Sequence, residues 1–112
     1  MSETDAASAR VRLFIDKHRA IRYNRYRKGD SMQTKVAVIS IVVSEAEKVE
    51  QINRLLHDSA EYIIGRMGIP YPEKGVNLIS VAIDAPEDGI CALTRALEAL
   101  EGVNAQAIFA KI

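Results

Sequence analysis

The stretch Val36–Val43 constrains this chain more than any other part of it. It reads Val-Ala-Val-Ile-Ser-Ile-Val-Val, with Ser40 as its one polar residue. Its length and its β-branched residues favour a strand over a helix. Successive side chains of a strand point to opposite faces, and here both alternating sets are apolar. Such a strand belongs in the middle of a sheet that needs cover on both sides.

A helix is expected directly after this strand. Ser44 with Glu47 three residues on has the form of a capping box. Val49, Ile52 and Leu56 then recur at spacings of three and four, with Leu55 widening the stripe, which predicts an amphipathic helix ending near His57 to Ser59. Residues Tyr62 to Tyr71 hold two glycines and Pro70. Proline donates nothing to a ladder, so this segment is predicted as an edge strand. Pro72-Glu73-Lys74-Gly75 forms a turn, because Pro72 presets φ and Gly75 accepts the left-handed conformation. Val76 to Ile83 is then the return strand of a hairpin.

Asp84, Pro86 and Glu87 are expected to begin a second helix, with Ile90, Leu93, Leu97 and Leu100 as its buried stripe and Gly102 as its stop. Val103, Ala105, Ala107 and Phe109 alternate with polar residues and mark a last strand. The order strand, helix, strand, strand, helix, strand is that of the ferredoxin-like fold, βαββαβ, an α+β sandwich with an antiparallel sheet and two helices on one face. The chain is long enough, at 112 residues, for one such domain. Without tryptophan, and with 5% aromatic residues, its core must be aliphatic. The helices cover one face of the sheet. The other face is apolar too, and its simplest cover is another copy of the chain, a homodimer or tetramer.

Residues 1–34 have a different character from the domain over 35–112. Eight basic residues against four acids precede Met32, while seven face eleven from there on, so the formal net charge of zero hides a basic arm. Tyr23 and Tyr26 interleave with its arginines, a pattern that suits nucleic acid, although a solvated, loosely ordered extension explains it more simply. Met32 offers a third reading, as the true start of the protein. The single cysteine, Cys91, forms no intrachain disulfide, no apolar run reaches membrane-spanning length, and no secretory signal opens the chain. A cytoplasmic protein without membrane contact is expected.

Catalytic chemistry finds little support. The two histidines, His18 and His57, have no nucleophile near them in sequence, and Cys91 reads as a small buried helix residue. Glu45, Glu47 and Glu50 stand where a helix start favours negative charge. No catalytic residue, metal ligand or cofactor is assigned. Gly65-Arg66-Met67-Gly68 lacks the strand-to-helix setting of a phosphate loop. It reads as an irregular edge strand with a bulge, or as a close approach to a ligand or partner. Arg66 suits either a carboxylate or phosphate at a subunit contact or a solvated charge that guards an edge.

Several segments carry a resemblance to a known family: Leu55-Leu56-His57-Asp58, Ile64-Gly65-Arg66-Met67-Gly68-Ile69-Pro70-Tyr71, Gly75 to Ser80, and Ala92 to Arg95 with Leu97. Over about residues 35 to 112 the chain resembles the iron-only hydrogenase system regulators. These in turn resemble the ACT-like C-terminal domain of the nickel-responsive regulators. The resemblance implies an ACT-like regulatory module rather than an enzyme. His57 falls where the first nickel-binding histidine of those regulators would be, but the other three ligand positions fall on Gly68, Pro70 and Val76, none of which offers a side-chain donor. The glycine with which ACT domains hold an amino acid after the first strand is also absent, the turn being Ser44-Glu45-Ala46. A small ligand at a subunit interface is expected, with His57, Arg66 and Tyr71 as its candidate binding residues. The alternatives are a metal-responsive sensor built on His57 of several subunits, and a DNA-binding regulator using the basic arm.

Overall fold

Strand β1 (Lys35–Val43) takes the central place that its apolar run demands. The structure, a computed structural model, describes residues 33–112. Residues 1–32 of the expected basic arm, and the DNA reading attached to them, lie outside the described residues. After β1, a 3-10 turn at Ala46–Lys48 leads into helix α1 (Val49–Asp58), and a second 3-10 turn at Ala60–Tyr62 leads into β2 (Ile63–Tyr71). A third at Pro72–Lys74 closes the hairpin to β3 (Val76–Ala85), followed by α2 (Glu87–Glu98) and β4 (Val103–Phe109). The sheet order is β2-β3-β1-β4 with every neighbouring pair antiparallel, the ferredoxin-like arrangement.

Alternation divides the sheet. Ala37, Ile39, Ile41 and Val43 of β1 are buried with Ile79, Val81, Ile83 and Ala85 of β3. Against them pack Ile52, Leu55 and Leu56 of α1 and Ile90, Leu93 and Leu97 of α2. The stripes expected on both helices are therefore the ones that fill the core, which is aliphatic apart from Tyr62. Gly75 holds φ at 67°, the left-handed conformation its turn requires.

Three local expectations are corrected. Ser44 does not cap α1. Its Oγ donates instead to the Gly102 carbonyl at 3.1 Å, which also accepts from Ser44 N at 2.8 Å, and no side-chain bond caps the 3-10 turn that precedes α1. The bond ties the end of β1 to the turn before β4, a partner 58 residues away that local pattern does not show. Strand β3 runs on through Asp84 and Ala85 because Val36 and Lys35 of β1 remain there to pair with them. Pro86 thus stands at the N-cap of α2 and not in its first turn, and its carbonyl accepts from Gly89 N and Ile90 N. Gly102, at φ 77°, lies four residues beyond the end of α2, in the turn that delivers β4.

Candidate functional site: the open sheet face and the edge strand

Strand β2 is an edge strand, as its proline and glycines require, and all of it except half-buried Ile63 is exposed. Its register with β3 slips between Ile63 and Gly65. Ile63 pairs with Ile83 and packs on the core, whereas Gly65 pairs with Ala82 on the opposite face. Ile64 is the extra residue of a β-bulge, which sets its neighbours out of phase. Downstream of it, Met67, Ile69 and Tyr71 join the side of the sheet away from the helices, and Arg66 joins the helix side.

The bulge decides which expected site residues can meet. Arg66 Nη2 donates to Asn53 Oδ1 of α1 at 3.0 Å. Exposed His57 stands four residues after Asn53, one turn along the same stripe of that helix. Arg66 and His57 are thus brought to the same side of β2. Tyr71 is not, since it lies on the open face near the hairpin tip. Asn53 as the partner of Arg66 was not legible in sequence, because the pairing depends on the bulge. Cys91 is half-buried on α2.

The open face is laid out in rows across the strands. One row is Ile69, Leu78, Val42, Asn104; the next is Met67, Ser80, Ser40, Gln106; a third is Gly65, Ala82, Val38, Ile108. Val38, Val42, Ile69, Leu78, Met67 and Ile108 are all exposed, with Met67 at 60% and Ile108 at 67%. Single exposed apolar residues are ordinary, but a contiguous set on one face marks an interaction surface. In its middle Ser40 and Ser80 sit opposite one another, with Val42, Met67, Ile69 and Leu78 around them, and leave a shallow hollow of about 190 Å³. A wider depression of about 410 Å³ shares Ser40 and Val42 and continues past Asn104 and Gln106 to Glu98, whose carboxylate accepts the Ala105 N–H. The sequence carried one signal of this floor: Ser40 is the sole polar break in the run of β1.

Among the described residues no group of three or more His, Cys, Asp or Glu side chains is gathered that could hold a metal ion. Gly68 and Pro70 lie on exposed β2, and Val76 opens β3. No helix among the described residues is long and apolar enough to cross a membrane.

Sequence comparison extends these observations. Residues 35–107, which span both helices and nearly the whole sheet, match the model of the TM1266-like family, whose description is "Iron-only hydrogenase system regulator, putative". The chain belongs to that family. Among solved structures it is similar to the uncharacterized protein TM1266 from Thermotoga maritima, with 29% identity and a TM-score of 0.68 over 70% of this chain and all of that one. No curated protein matches the sequence. Family membership brings with it the name of a regulator of an iron-only hydrogenase system, and no catalytic assignment.

Proposed function

We propose that this protein is a regulatory module of an iron-only hydrogenase system, that it works in the cytoplasm as a homo-oligomer without catalysing a reaction, and that it responds to a small ligand held at a contact between subunits. The observation that carries the reading is the open face of the sheet. Its exposed side chains are mostly apolar and contiguous, and the chain's own helices lie on the other side. Family membership supports the regulatory part of the reading.

His57, Arg66 and Tyr71 remain the proposed ligand contacts. Arg66 and Tyr71 face opposite sides of β2, so they serve one ligand only around the sheet edge or across a contact between two copies. The decisive measurement is the mass of the full chain in solution by native mass spectrometry and by light scattering. Oligomers at multiples of 12.4 kDa are expected. A monomer at every concentration reached would overturn the proposal.

A further inference from the structure

The hollow over Ser40 and Ser80 opens on the face of the sheet away from the helices. We infer that two copies of this chain dock through their open sheet faces, and that the two hollows, brought together, form a chamber for a small uncharged molecule with a hydroxyl or amide group. The inference rests on the homo-oligomer reading above and adds to it the docking face, the chamber and the chemistry of the ligand.

The occupant of the face is indicated by its chemistry and its size. Along the three rows no ionisable side chain is present: Val38, Val42, Ile69, Met67, Leu78, Ala82 and Ile108 are apolar, and the polar members are serine, asparagine and glutamine. Nucleic acid and charged peptides therefore find no counter-charge there. Asp84 is exposed on the same face beyond these rows, beside Val36, so it is the three uncharged rows that oppose no like charges when they meet their copy about a twofold axis. Four strands about 4.8 Å apart, rising about 3.3 Å per residue over some seven residues, give a face of roughly 19 by 23 Å. That projection of roughly 400 Å² is about half of the ~800 Å² per partner that a standard stable interface buries.

Packed sheets stand about 10 Å apart, a distance set by the larger side chains between them. Here those are Met67, Ile69, Leu78 and Val42, which ring the two serines. Serine is too short to fill the gap that such a ring holds open. Two hollows of about 190 Å³ facing one another together exceed the ~300 Å³ at the lower end of small-molecule sites. The walls are apolar and the floors carry hydroxyl groups of Ser40 and Ser80. A buried charge would have no partner there, whereas a neutral hydrogen-bonding group would.

Benzyl alcohol and benzoate, similar in shape and different in charge, test the chamber on the full-length protein. Binding is read from the methyl NMR signals of Val42, Ile69 and Leu78, and assembly from light scattering. Benzyl alcohol should shift those methyl signals saturably, and benzoate should not. Ser80→Leu, which fills the floor, should leave the assembly intact and weaken benzyl alcohol at least about tenfold, as expected for a blocked cavity with a lost hydroxyl. Val42→Lys should give a monomer with an unchanged circular dichroism spectrum and no binding. An assembled Ser80→Leu variant that binds as the parent does would overturn the chamber while sparing the homo-oligomer. Benzoate binding that is abolished by Arg66→Ala would move the ligand to the helix side and overturn the inference. An assembled, folded Val42→Lys variant would show that another surface joins the copies. A monomeric parent protein would defeat the functional reading itself.

Discussion

Val38 and Ile39 are neighbours in one strand, yet they belong to different surfaces. Ile39 is fully buried beneath the helices, while Val38 is 39% exposed on the far side. The same contrast repeats along β3, where Ile79 and Val81 are buried and Leu78 is exposed. Residue type separates the two faces only in part, since Val, Ile and Leu occur on both while Ser40, Ser80, Asn104 and Gln106 lie on the open one. What distinguishes them is that the chain supplies cover for one only. Apolar patterning thus extends beyond what one copy covers, and in the proposed assembly a second copy covers the rest.

The sharpest test of that contrast is a pair of truncations. Ile39→Ala removes side-chain atoms from a filled interior and should cost about 2–5 kcal/mol in urea unfolding. Val38→Ala should cost under about 1 kcal/mol for a separate copy, with a larger loss only under conditions of assembly. Equal effects at all concentrations would erase the distinction between the faces.

Next in size is the turn that holds β4 to the sheet. Gly102 has φ 77°, and a Cβ there would come 2.7 Å from Glu45 Cγ. Gly102→Ala should therefore destabilise by about 1–3 kcal/mol, and the double variant with Glu45→Ala should recover the steric share but not the backbone share. If the single variant is neutral by thermal unfolding, the turn is looser than its geometry states.

Leu78→Ala probes the open face in another way. Its effect should grow with protein concentration, reaching about 1 kcal/mol when unfolding is compared at concentrations about a hundredfold apart, because association stabilises by mass action. A concentration-independent midpoint would mean that no copy covers this residue. Smallest of all should be Arg66→Ala. Its bond to Asn53 is solvent-exposed, so unfolding should change by less than about 0.5 kcal/mol. A loss above that would reveal a contact to Arg66 beyond Asn53.

Much of the architecture was legible because it is periodic. The run of β1, the stripe Ile52, Leu55, Leu56 and the stripe Ile90, Leu93, Leu97 each repeat at the spacing of the element they form, and the burial matches them. Pro72 and Gly75 announced their turn through conformational limits that act locally. Long-range features were less readable. Ser44 has the look of a helix cap and instead reaches Gly102, because the end of β1 and the turn before β4 meet only after the sheet has formed. Asp84 has the look of a helix start and instead pairs with Val36.

The candidate site was legible in its residue types and not in its grouping. Arg66, His57 and Tyr71 were identifiable as polar or aromatic residues at a strand edge and a helix end. Which side of β2 each occupies depends on where the ladder slips, and an irregular Gly-containing segment announces a bulge without saying at which residue. The serine floor depends on the pairing of Ser40 with Ser80, two positions that lie far apart in the chain.

That one surplus residue at Ile64 has a broader consequence. It absorbs the offset between Ile63, opposite Ile83, and Gly65, opposite Ala82, so a deletion there would leave Arg66 on the helix side and Met67, Ile69 and Tyr71 on the open face. The hydrogen-bonded ladder would become regular, and the greasy surface would keep its side chains. The loss of one codon at this point can therefore pass without changing what either surface presents, a place where related chains can differ in length and keep the same associations.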